Sequence, residues 1–232
     1  MWIKILISCI VLLTTQICHS EQIPIVYYNP MSFITSKTDT NEITIQTKDE
    51  PLTLVFPLNT TIKINENSTI IIAGSVMDID YENRPHVLKV KNIFCSIIVV
   101  SGNVDVVTGN KSVLKFFAPR IRFETKSEGF YKIVVDGKNT TIVAISGKIS
   151  VSGVSKQDKF EINEKTIGLI TPAVPLINIE KSVGSNRSEI NVKNIEEEDY
   201  NNLKSYFNVL KQQSDQMLFV VIDKNVIGVS NK

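Results

Sequence analysis

Short runs in which apolar and polar residues take turns make up most of this chain, and the densest of them fill positions 87–153. Strict alternation sets one side of a strand in a core and the other in water. Each run here closes at Gly, Asn, Asp or Ser, residues that turn a chain. Regular alternation begins at Ile43, and Pro51 and Pro57 bracket LTLVF as one short strand. TTIKINENSTIIIAGS reads as a hairpin turning at Asn65-Glu66-Asn67, because Asn tolerates left-handed backbone and bonds locally. VMDIDYENRPH follows as a strand running into a loop. VLKVKNIFCSIIVV, SGNVDVVTGN and SVLKFF read as separate runs, and KFEIN, KTIGLI and VPLINIE extend the series to about Glu180.

Past a loop at 182–189 the period changes. Tyr200, Leu203, Phe207 and Leu210 recur at helical spacing, with Asn194 as the cap and Glu197 three residues after it. Glu196, Glu197, Glu198 and Asp199 crowd the first turn and Lys211 lies near the end, as a helix dipole favours. The spacing predicts a helix over about 195–214. MLFVVIDKNVIGVS then closes the chain as a hairpin turning at Lys224-Asn225. The fold class expected is all-β: two packed antiparallel sheets in a jelly-roll-like sandwich or a short solenoid, then one amphipathic helix and a terminal hairpin. The division expected is 1–20 as a signal peptide, 21–42 as a turn-rich lead-in, 43–181 as the β-domain, and 182–232 as loop, helix and hairpin.

The first segment supplies a location. Lys4 precedes an apolar run from Ile5 to Leu13, and small residues at Cys18 and Ser20 offer a cleavage site before Glu21. This is the layout of a secretory signal peptide, too short for a transmembrane helix of about 20 apolar residues. Its removal takes Lys4 from the 25 basic residues and leaves 24 against 24 acidic ones, so the mature chain is formally neutral. No basic stripe stands out to neutralise phosphates, and a nucleic-acid partner is not expected. Cys9 and Cys18 also depart. Cys95 remains alone in NIFCSIIVV, where it reads as a small buried hydrophobe and cannot form an internal disulfide.

Catalytic constellations are lacking. His86 is the one histidine left after cleavage, too little for a zinc site or a catalytic triad, and no cofactor is expected. Asp78, Asp80 and Glu82 alternate and would line one strand face. Such a face can hold calcium, and it also serves as a plain solvated surface. Arg120 and Arg122 share a strand face with Lys126 close behind. They could grip an anionic group or pair with Glu124 or Glu128. The stripe of Leu203 and Phe207 must be buried, either against the β-domain or against a partner. Sequons occur at Asn59, Asn67, Asn110, Asn139 and Asn186.

The segment PRIRFETKSEGFYKIVVDGKNTTIVAISGKISVSG resembles the C-terminal part of a FecR-type domain. Glu124-Thr125, Gly129-Phe130 and the run from Thr141 to Val151 match the family's turn, its Gly-aromatic pair and its final strand pair. FPLNTTIKINENSTIII is similar to an upstream segment of the same family. The resemblance covers about 52–153. It implies a free-standing exported FecR-like domain of a bacterial envelope; the cytoplasmic segment and membrane span of the signalling members have no counterpart here. Ser101-Gly102-Asn103-Val104 and Ser146-Gly147-Lys148-Ile149 also look like the repeated corners of OstA-type lipopolysaccharide-transport domains. That second resemblance implies an open β-jelly roll carrying acyl chains between its sheets.

The expectation is a periplasmic or secreted, non-enzymatic binding or scaffolding protein of the cell envelope. Its partner would be another envelope protein or a glycan, with Arg120, Arg122, Leu203 and Phe207 as candidate interaction residues. The alternative is a lipid-bridging protein of OstA type. A weaker one is a carbohydrate-active enzyme using Asp78 and Asp80.

Overall fold

The computed structural model describes residues 26–28, 33–37, 42–80, 89–119, 121–125, 127–153, 159–172, 188–215, 217–222 and 225–230. In chain order the strands are β1 (Val26–Tyr28), β2 (Phe33–Lys37), β3 (Ile43–Thr47), β4 (Leu52–Phe56), β5 (Thr60–Ile64), β6 (Thr69–Asp80), β7 (Lys89–Thr108), β8 (Ser112–Ala118), β9 (Ile121–Thr125), β10 (Gly129–Asp136), β11 (Asn139–Ser146), β12 (Ile149–Gly153), β13 (Lys159–Ile162), β14 (Thr166–Pro172) and β15 (Ser188–Asn194). Helix α1 (Glu197–Asp215) follows, then β16 (Met217–Ile222) and β17 (Asn225–Ser230). The chain is all-β with one helix near its C-terminus.

The first fifteen strands form two layers that share β7. Sheet A runs β1-β4-β5-β7-β10-β11-β14-β15. Sheet B runs β2-β3-β6-β7-β8-β9-β12-β13. Apart from β1 and the last part of β7, the chain visits them in alternation, two strands at a time on one sheet and then two on the other. Inward-facing residues of both layers form one core: Leu52, Leu54, Phe56, Ile62, Ile64, Val104, Val106, Ile133 and Ile142 from sheet A meet Ile45, Ile70, Ile93, Ile97, Leu114, Phe116 and Val151 from sheet B. At about 25 cal/mol per Å² this burial is the main force closing the sandwich.

The 20-residue β7 is the hinge of the topology. Its first part pairs with β6 and β8 in sheet B, and its last part with β5 and β10 in sheet A. The change occurs at Gly102, whose φ is +92° and where an added Cβ would lie 2.6 Å from the Ser68 Cα. Only glycine fits that corner. Ser68 fastens it: the Asn103 N–H donates to Ser68 Oγ at 2.9 Å. Gly147, φ +82°, makes a second corner where the chain leaves β11 on sheet A for β12 on sheet B.

Several expectations need correction. The residues around Asn65-Glu66-Asn67 do not close a hairpin. β5 pairs with β4 and β7 while β6 pairs with β3 and β7, so this turn carries the chain from sheet A to sheet B. The runs on either side of Ser101 are one strand bent at Gly102, not two. The sheets are not wholly antiparallel, because β8 runs parallel to the first part of β7. The chain leaves β7 at its sheet A end and returns to lay β8 beside the first part of β7, running in the same direction. The lead-in contains β1 and β2, and the loop at 182–189 gives way at Ser188 to β15, which edges sheet A. Asn194 ends that strand rather than capping the helix; the first intrahelical bond runs from the Tyr200 N–H to the Glu196 carbonyl. Lys211 falls short of the last helical turn. The terminal hairpin forms its own two-stranded sheet, β16-β17. Residues 1–20, VPLINIE, Glu82, His86, Arg120, Lys126 and Asn186 lie outside the described residues.

Candidate interaction face

Helix α1 covers the outer face of sheet A over β4, β5, β7 and β11. Val107, Val143 and Ile145, which point away from the main core, form a second buried cluster with Tyr200, Phe207 and Leu210 of α1. Phe207 stacks on Phe130 with ring centroids 5.7 Å apart, and Tyr206 meets Phe207 edge-on at 5.3 Å. Phe207 is fully enclosed, and Leu203 packs at the margin of the same cluster. Both therefore sit inside an intramolecular contact. Of the exposed large apolar residues, Val209 is the one on the helix.

Beneath the helix lies a polar anchor. Asp105 of β7 is 1% exposed and stands opposite Lys132 of β10 and Lys63 of β5. Its Oδ2 accepts from the Tyr206 hydroxyl at 2.7 Å and from Asn65 Nδ2 at 2.8 Å, while its Oδ1 faces Lys132 Nζ at 3.6 Å. Lys63 Nζ lies 5.1 Å from the Tyr206 ring centroid. Burial pushes the Tyr206 hydroxyl pKa up, and the negative charge of Asp105 and the bond to it push it further in the same direction. At the rim of the helix, Lys211 Nζ meets Glu128 Oε1 at 2.7 Å. Asp105 escaped the sequence reading because alternation alone marks it as an outward, solvated position. Only the helix makes that position interior.

The outer face of sheet B carries no such cover among the described residues. Phe94 and Val100 of β7 and Phe117 of β8 are 44%, 45% and 39% exposed. Cross-strand register places Ile98 beside Phe117 and Phe117 beside Arg122. Lys115, Phe117, Arg122, Glu124, Ser150 and Ser152 line a shallow hollow of about 450 Å³ on β8, β9 and β12. Arg122 is held rather than loose: its Nε donates to Ser152 Oγ at 3.0 Å, and Ser152 Oγ donates to the Arg122 carbonyl at 3.3 Å. Lys115 stands opposite Glu124, which also neighbours Ser150. The face can therefore offer a fixed guanidinium beside an aromatic side chain, an arrangement suited to a carboxylate next to an apolar group.

The other candidates come together less. Asp78 and Asp80 lie in β6 opposite Asn92 and Lys89, with a register shift between Asp78 and Ile79. Among the described residues, no three His, Cys, Asp or Glu side chains gather as a metal site. Cys95 is buried in the main core, and burial pushes its thiol pKa up to about 12. Asn59, Asn67, Asn110 and Asn139 sit exposed in or beside turns. Among the described residues, no helix is long and apolar enough to cross a membrane.

No known family profile matches the chain, and no curated protein does. Two crystal structures provisionally assigned as anti-sigma factors, both from Parabacteroides distasonis ATCC 8503, are similar to it at a distance. One is 12% identical with a TM-score of 0.42 and covers 82% of this chain and 85% of its own. The other is 5% identical with a TM-score of 0.36 and covers 91% of this chain and 100% of its own.

Proposed function

We propose that this is an exported, non-enzymatic binding or scaffolding protein of the bacterial cell envelope, built on a FecR-like β-domain. In this reading it meets a protein partner through the outer face of sheet B. The observation that carries the proposal is the difference in cover: exposed Phe94, Val100 and Phe117 share a face with a tethered Arg122, next to Phe117, where no element of the described chain packs. Large apolar side chains grouped on one side of a soluble fold are a usual mark of an interaction site. Charge and aromatic character together match the residue types that dominate such sites. The signal-like first twenty residues support export.

The filled interior favours this reading over a lipid bridge. Core side chains of both sheets are almost fully excluded from solvent, and an acyl chain between the sheets would need them to part. A glycan remains an outcome of the test. Osmotic-shock fractionation with in-cell amine cross-linking tests the proposal. The protein should fractionate with the envelope and yield one discrete adduct, and Phe117→Ser with Arg122→Glu should abolish that adduct without altering the melting curve. Retention in the cytoplasm, or an adduct indifferent to both substitutions, would overturn it.

A further inference from the structure

The free edge of sheet A carries a second, independent message. β15 (Ser188–Asn194) pairs with β14 through seven consecutive residues with no register shift, and among the described residues nothing pairs with its other side. Proteins usually blunt such an edge with Pro, a bulge, a very short strand or several charges. This strand has no Pro and no bulge. Val192 and the neighbouring Leu169 are exposed, and with Thr171, Ile190 and Asn191 they line a hollow along the rim.

The sequence of the strand is complementary to itself. Antiparallel pairing about Asn191 sets Ile190 opposite Val192 and Glu189 opposite Lys193, with Ser188 opposite Asn194. Shifting the centre by one residue in either direction loses the charged match and leaves one apolar pair, Ile190 or Val192 opposite itself, in place of two. The backbone agrees with this register. The Ile195 N–H donates to the Lys165 carbonyl, which continues the β14–β15 ladder and turns the odd-numbered residues of β15 toward β14. The even-numbered residues 188, 190, 192 and 194 then turn their N–H and C=O groups outward. Those are the residues that pairing about Asn191 would join by hydrogen bonds.

We propose that β15 is a homodimerisation edge, at which a second copy of this chain adds its own β15 across a two-fold axis at Asn191. The two copies of sheet A would become one continuous sheet. Isologous pairing of this kind uses one patch twice and closes on itself. The inference does not depend on the sheet B face, and a strictly monomeric protein would leave that proposal standing.

Full-length mature protein tests it by sedimentation velocity over a concentration series, together with disulfide trapping. The dimer should double the mass reversibly. Asn191→Cys should form a disulfide-linked dimer under mild oxidation, since the two-fold pair is the close, non-hydrogen-bonded kind. Val192→Cys, which faces Ile190 of the other copy, should not. Lys193→Glu places like charges opposite one another twice and should weaken the dimer about tenfold. Mixing it with Glu189→Lys should restore association. A monomer at every concentration, or a dimer that neither Asn191→Cys traps nor Lys193→Glu weakens, would overturn the proposal. Circular dichroism of each variant separates lost pairing from lost fold.

Discussion

Val107, Val143 and Ile145 project from the outer side of sheet A much as Phe94, Ile98 and Phe117 line the outer side of sheet B. The first set disappears beneath α1. The second stays in contact with solvent. A 19-residue helix with one apolar stripe can seal only one face of a two-layer fold, because its width with side chains is about 10–12 Å. The chain spends that helix on sheet A and fixes it with a buried carboxylate between two lysines. The uncovered face instead pins an arginine in place with a serine. The contrast separates apolar residues that hold the fold together from apolar residues that the fold does not need.

Substitutions should tell the two faces apart. The largest effect is expected at Phe207, fully enclosed and stacked on Phe130. Phe207→Ala should lower stability by about 3–5 kcal/mol in urea unfolding, whereas Val209→Ala on the exposed side of the same helix should change little. Tyr206→Phe removes the hydroxyl that donates to Asp105 and should cost about 1–2 kcal/mol. A negligible change there would mean that the anchor contributes nothing to the cover.

Alkaline pH offers a smaller test, located in the main core. The thiol of Cys95 has a folded-state pKa of about 12 against an ordinary 9.0. A raised value means that the folded chain keeps its proton while the unfolded chain releases it. The stabilisation is thus complete below pH 9 and is lost as pH rises toward 12. Cys95→Ala should be less stable at neutral pH yet show a flatter decline between those values. Phe94→Ser and Phe117→Ser, on the open face, should shift stability by no more than about 0.5 kcal/mol. A large loss at either would show that this face is covered after all.

Much of this was legible in the chain. LTLVF appears as β4 with the bounds that Pro51 and Pro57 suggested, Cys95 is buried, and the stripe Tyr200, Leu203, Phe207 and Leu210 is the contact side of a helix. Local pattern could not show which strands pair. The turn at 65–67 has hairpin chemistry, but Ser68 ties it to the corner at Gly102 instead. β15 went unread as a strand because its alternation is confined to Ile190 and Val192, too short a run to stand out between a loop and the start of a helix. Asp105 was invisible as an anchor for a related reason: its partners Lys63, Asn65, Lys132 and Tyr206 are distant in sequence and converge only through register. Arg122 was legible as a candidate, and its tether to Ser152 was not, since that bond spans two strands of sheet B.

Site-specific photocrosslinking in intact cells tests the central claim most directly. A photoreactive residue at position 117, on the open face, should capture a discrete envelope protein. The same probe at position 209, exposed on the helix that covers the other face, should capture none. Adducts at 209 with none at 117 would contradict the account, because they would place the binding surface on the covered side of the molecule.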